Sequence, residues 1–186
     1  MSCLQYPIIR MYWDKKWRVP VICDNMTRDR FFQLRTSIKI VFDNDVNEDD
    51  RKKDRLWKLR PLIERIKDGC LKQERNVHVS IDEMIVPFSG VCNMKQYCPG
   101  KPNPVGLKVF VMANPNGLVL NFKFYQGKTT FPEYSLQGFG LAASAILHLS
   151  DSLTPGHLIY FDRFFTSQNL VDELLKIVIY WYNSEK

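Results

Sequence analysis

Val79-Ser80-Ile81-Asp82-Glu83-Met84-Ile85-Val86 is an apolar, β-branched run interrupted by a carboxylate. A second segment, His157-Leu158-Ile159-Tyr160-Phe161-Asp162-Arg163-Phe164-Phe165-Thr166-Ser167, carries Asp162 at the end of a similar run. A strand-end aspartate is costly to desolvate unless something pairs with it. Two of them on neighbouring strands would make a site for hard divalent cations. That is the arrangement with which two metal ions assist cleavage of a phosphodiester bond.

Working outward from these runs, residues 77–86 read as a strand. Residues 106–113 (GLKVFVMA) read as a second, followed by the turn Asn114-Pro-Asn-Gly117 and a third strand over 118–125. So short a turn implies an antiparallel hairpin. Residues 92–104 and 126–138 read as loops, and 140–149 (GLAASAILHL) as a helix of small residues. Pro155-Gly156 introduces a strand over 157–161, a helix follows over 167–175, and 176–182 reads as a last strand. Strands one to three can form a meander, and strands one, four and five can pair in parallel through right-handed crossovers. The expected fold class is α/β, a ribonuclease-H-like mixed sheet preceded by a small helical region. In that arrangement Asp82 and Asp162, 80 positions apart, lie side by side.

Upstream, residues 1–25 look irregular, with Tyr12, Trp13 and Trp17. Thr27 can cap a helix over 28–40. Residues 41–54 are polar and acidic and read as a loop. Residues 55–71 carry an apolar stripe of Leu56, Leu59, Leu62, Ile63 and Ile66, and Pro61 either starts the regular helix or kinks it. Two regions result: a helical, basic one over 1–75 and a ribonuclease-H-like core over 76–186.

Charge is unevenly spread. Residues 51–75 hold ten Lys and Arg against four acids, leaving six, which is the whole formal excess of +6. Such a stretch is a phosphate-binding face or a solvated helix face. Its candidate DNA contacts are Lys52, Lys53, Arg55 and Lys58; Lys101 and Lys108 are further candidates. The five cysteines (Cys3, Cys23, Cys70, Cys92, Cys98) are odd in number and lack a C-x-x-C pair, which fits neither a disulfide scaffold nor a zinc site. No apolar stretch is long enough to span a bilayer, and Asp14, Lys15 and Lys16 come too early for a signal peptide. A cytoplasmic or nuclear location is the default. Gly138-Phe-Gly140-Leu-Ala-Ala143 mimics a dinucleotide fingerprint but lacks the preceding strand that motif needs.

The chain resembles piggyBac-family transposases and their domesticated relatives. The resemblance rests on Met26-Thr-Arg-Asp-Arg-Phe31, Phe42-Asp43-Asn44, Asp54-Arg-Leu-Trp-Lys-Leu-Arg-Pro61 and Ile81-Asp82-Glu83-Met84 with Phe88-Ser-Gly90. It continues through Lys101-Pro102, Gly106-Leu-Lys108, Tyr125-Gln-Gly127-Lys128 and Phe161-Asp-Arg-Phe-Phe-Thr-Ser167. The resemblance implies a DNA transposase with a three-aspartate site dependent on Mg²⁺ or Mn²⁺. Asp82 matches the first catalytic, metal-binding aspartate and Asp162 the second. The third is expected on a helix beyond Lys186, so two carboxylates of three should hold a cation weakly and leave the ancestral chemistry incomplete. The family's zinc-binding tail is likewise expected to lie outside this chain. The implied partner is double-stranded DNA at transposon ends, a homodimer is compatible, and the implied location is the nucleus. The alternative is a domesticated, non-catalytic DNA-binding or scaffold domain. Where the family reads F-K-G-R the chain has Phe88-Ser89-Gly90-Val91, and Arg163 replaces the residue after the second aspartate. Arg163 could pair with Asp162, face solvent or reach a phosphate. Glu83 alternates away from Asp82 and reads as a supporting residue.

Overall fold

The computed structural model describes residues 6–176 and 180–184. The chain divides between Val46 and Asn47 into two compact units.

The N-terminal unit holds a 3₁₀ turn at Ile9–Trp13, a short helix α1 (Pro20–Cys23) and helix α2 (Arg28–Ser37). Aromatic residues give it a centre: Tyr12 is buried, with Tyr6 edge-on at 5.1 Å. Trp13 lies 5.3 Å from Phe31, and its indole N–H donates to the Met26 carbonyl at 2.7 Å. Helix α2 starts as expected, with Thr27 Oγ1 accepting from the Arg30 N–H. It ends at Ser37 rather than at residue 40. The hydroxyls of Thr36 and Ser37 bond back to the carbonyls of Phe32 and Gln33, a local alternative that weakens the last turn.

The C-terminal unit contains helices α3 (Glu48–Lys53) and α4 (Arg60–Leu71), then strands β1 (His78–Pro87), β2 (Lys95–Tyr97), β3 (Val105–Ala113) and β4 (Val119–Phe124). Helices α5 (Pro132–Leu136) and α6 (Leu141–Ser150), strand β5 (Leu158–Asp162), helix α7 (Gln168–Lys176) and strand β6 (Tyr180–Ser184) follow. Three of these elements lie in stretches that read as loops. Helix α3 forms because Asn47 caps it, accepting from Asp50 N–H at 2.8 Å. Its acids sit in the first turn and its cations in the last, which complements the helix dipole. Strand β2 and helix α5 are too short to leave a periodic signal. The helix expected over 55–71 begins only at Arg60, so Pro61 starts it rather than kinking it. The last strand was expected over 176–182; β6 covers its end, and residues 177–179 fall outside the described ones.

The sheet order is β2-β3-β1-β5-β6, with β4 also on β3. β1, β3 and β4 form the expected antiparallel meander, and β1–β5 and β5–β6 pair in parallel. β1 occupies one edge of β3, while β2 and β4 share the other end to end. The β3–β4 turn closes with Gly117 at φ 84°, a conformation glycine adopts without strain. Gly106, opposite Pro87, has a different reason to be glycine: a Cβ there would collide with the Val86 carbonyl oxygen.

Alternation places Val79, Ile81, Phe110, Met112, Ile159 and Phe161 on one sheet face, under α6 and α7. Ile146, Leu149, Phe165, Leu170 and Leu174 complete this core. Each fully buried side chain of this size contributes about 1.5–3 kcal/mol. On the opposite face, Leu56, Ile63 and Met94 pack over Leu107, Phe122 and Phe124. That second cluster fastens α4 to the β3–β4 half of the sheet. Among the described residues, the β1–β5 half of this face remains open.

Candidate functional site

β1 and β5 pair as His78 with Leu158, Val79 with Ile159 and Ser80 with Tyr160, a constant offset of 80. The pairing ends there; continued two residues further, the same offset would set Asp82 opposite Asp162. Parity gives both the same face. Ile81 and Phe161 point into the core, so their successors Asp82 and Asp162 turn to the open side. Asp82 is exposed and Asp162 half-buried.

Both carboxylates are held by the chain that follows them. Asp82 Oδ1 accepts from Glu83 N–H at 2.7 Å. Asp162 Oδ1 accepts from Phe164 N–H at 3.0 Å and so caps the 3₁₀ turn Arg163–Phe165. Phe165, at 1% exposure, anchors that turn in the core. Behind the pair on the open face, His78 Nδ1 and Tyr160 Oη meet at 3.0 Å. Arg163, the departure from the family pattern, is exposed.

Glu83 faces the other way and pairs with Lys101 Nζ at 3.6 Å. Lys108 Nζ lies 5.2 Å from the Phe110 ring centre and 5.8 Å from that of Phe164. Lys108, opposite Ile85 and on the Phe110 side of the sheet, and Lys101 therefore gather on Glu83's side of β1, away from Asp82, while the candidates on and after α3 lie elsewhere. Lys52 pairs with Glu48 at 3.8 Å and Lys53 with Asp50 at 3.9 Å, both exposed. Lys58 Nζ sits 4.9 Å from the Trp57 ring. Arg55 is exposed and fixed through its backbone N–H, which donates to Gln126 Oε1 at 3.1 Å.

One ion pair falls within a family motif, yet the sequence assigned it no role. Arg60 grips Asp54 with two bonds of 2.6 Å, and Asp54 Oδ1 also accepts from Leu56 N–H at 3.0 Å. The hydrogen-bonded guanidinium holds the Asp54 carboxyl below the usual carboxylate range, against the opposing effect of burial. This clasp shapes the turn into α4. Its only sequence signal was the spacing of Asp54 and Arg60 just before Pro61. Near β4, burial and then Lys123 and Lys67 lower the pKa of His148, which packs 5.3 Å from the Phe131 ring.

Among the described residues, no three His, Cys, Asp or Glu side chains come together as a metal cluster. No described helix is long and apolar enough to cross a membrane. The donors at hand are two carboxylates at matching positions on one open face, hard oxygen ligands of the kind Mg²⁺ and Mn²⁺ take.

A mixed sheet of this order is a ribonuclease-H-like core. The chain belongs to the transposase family described as Transposase IS4, matched over residues 1–182, and within it to the piggyBac type. It is 34% identical over 175 residues to human PiggyBac transposable element-derived protein 3, covering 90% of this chain and 28% of that protein. The human Chimeric ERCC6-PGBD3 protein matches equally, at 34% over 175 residues, with 16% of its length covered. The fold is shared with the piggyBac transposase of a synaptic complex with hairpin DNA, with a TM-score of 0.79 and 24% identity. That match covers 94% of this chain and 37% of the transposase. The chain thus spans about a third or less of each of these proteins.

Proposed function

We propose that this chain binds DNA ends and holds a phosphodiester against a divalent cation at Asp82 and Asp162. The observation that supports the reading is the β1–β5 register through Ser80 and Tyr160, which, continued by two residues, would set both carboxylates on one open face. A cation bound there would polarise the phosphate and lower the pKa of an attacking water. The chain's own part is positional. The Glu83 and Phe164 amides each hold one carboxylate oxygen and so orient the pair. Lys101 and Lys108 supply positive charge on Glu83's side of β1, and Lys52, Lys53, Arg55 and Lys58 supply a second basic surface for the DNA backbone. The relatives support DNA as the partner, since one is a transposase solved with hairpin DNA.

A second reading is a DNA-binding domain without chemistry. Arg163 beside Asp162 favours it, because a cation next to a carboxylate disfavours a divalent ion. The deciding assay is Mn²⁺-dependent nicking of labelled duplex DNA by the purified chain. Nicking that disappears in Asp82→Ala supports the first reading. DNA binding without nicking, unchanged by Mn²⁺, supports the second.

A further inference from the structure

The 3₁₀ turn after Asp162 carries two phenylalanines with opposite fates. Phe165 is buried against Phe110 at 6.3 Å. Phe164, edge-on to it at 5.5 Å and 87°, is 67% exposed. A single exposed phenylalanine needs no explanation by itself. This one is immobilised from three sides. Asp162 accepts its backbone N–H, Phe165 roots the next residue in the core, and Lys108 Nζ lies over its ring. The Lys108 ammonium is itself backed by the buried Phe110 ring. Free rotation is therefore limited, and an aromatic face and a cation are presented together, two residues beyond a proposed phosphate-handling carboxylate.

We propose that Phe164 and Lys108 form a stacking platform for an unpaired nucleobase on a DNA strand passing the turn after Asp162, with Lys108 meeting a phosphate beside that base. Every base has a π-face, so stacking on an aromatic ring tolerates any sequence. A paired base inside a duplex hides that face, so the platform selects a strand end or an unpaired nucleotide over intact duplex. The neighbouring ammonium suits the backbone charge that accompanies the base. This deepens the proposed function and rests on its DNA-binding part.

The test is fluorescence anisotropy with the full chain and two labelled DNAs, one blunt duplex and one of the same sequence with a short single-stranded overhang. Phe164 is exposed, so Phe164→Ala should fold, as circular dichroism will check. Phe164→Ala is expected to weaken overhang binding by about 5- to 150-fold, the range for removing one stacked base, and to leave blunt-duplex binding within about twofold. Phe164→Trp should restore the overhang preference. Lys108→Gln should lower the salt slope for the overhang DNA by about 0.7. Unchanged overhang binding in Phe164→Ala, equal weakening of both DNAs, or failure of Phe164→Trp to rescue would each overturn the platform while leaving DNA binding intact. Absence of binding to either DNA by the unsubstituted chain would overturn the DNA reading itself.

Discussion

Breaking the Asp54–Arg60 clasp offers the sharpest quantitative check on the packing of α4. The pair is about three-quarters buried at Asp54 and two-thirds at Arg60, with two bonds of 2.6 Å. Charge-assisted hydrogen bonds contribute about 1.5–3 kcal/mol when well buried, and the partial exposure here calls for the lower half of that range. Asp54→Asn keeps an oxygen for the Leu56 N–H and loses the charge, so it should cost about 1–2 kcal/mol. Asp54→Ala also loses that local cap, worth about 1 kcal/mol more. A double-mutant cycle with Arg60→Ala should return a coupling of about 1–2 kcal/mol. The clasp also fixes the sign of a pH effect. The folded Asp54 pKa lies below its unfolded value near 3.9. Its contribution is therefore fully present above about pH 5 and is lost as pH falls through the lower folded pKa. Urea unfolding of the four cycle members at pH 7 and pH 3 measures both. A coupling under about 0.3 kcal/mol at pH 7, or one that grows on acidification, refutes the reasoning.

Calorimetric titration with Mn²⁺ should show weak binding that both Asp82→Asn and Asp162→Asn abolish, since each removes an anionic oxygen donor; tight binding indifferent to both would exclude the pair as ligands. Replacing Lys52, Lys53, Arg55 and Lys58 with Gln should flatten the salt dependence of duplex binding by about 0.9 for each phosphate no longer neutralised, and an unchanged slope would mark a merely solvated face. Gly106→Ala should destabilise by about 1–3 kcal/mol or more in thermal unfolding, because its methyl meets backbone rather than a yielding side chain. The His148 imidazole, depressed chiefly by burial, should titrate below 6.5 by NMR; the stability it lends is present above that pH and falls away as pH drops through the lower folded pKa.

The parallel pairing of the two aspartate-bearing strands was legible because both runs are apolar, carry Asp at matching positions and are separated by enough chain for a crossover. The meander was legible from Asn114-Pro-Asn-Gly117. Helix α3 was hidden because its stability comes from Asn47 and from the order of its charges, while its residues carry no apolar stripe. The bidentate Asp54–Arg60 clasp depends on how the chain bends before Pro61, which composition does not encode. The opposite fates of Phe164 and Phe165 were equally hidden, because two adjacent phenylalanines look alike until a turn sends one inward.

The offset of 80 between β1 and β5 also sets an order of assembly. Closing a ring of that many residues costs about 4 kcal/mol in its logarithmic part, against about 2 for the β3–β4 hairpin. Nucleation should therefore favour the meander, with the β1–β5 junction zipping up late. The two aspartates would then be strangers through most of the folding reaction, and their mutual repulsion would arise only after the scaffold able to withstand it exists. Pulse-labelled hydrogen exchange should show β3 and β4 amides protected before those of β5; the reverse order would contradict this sequence of events.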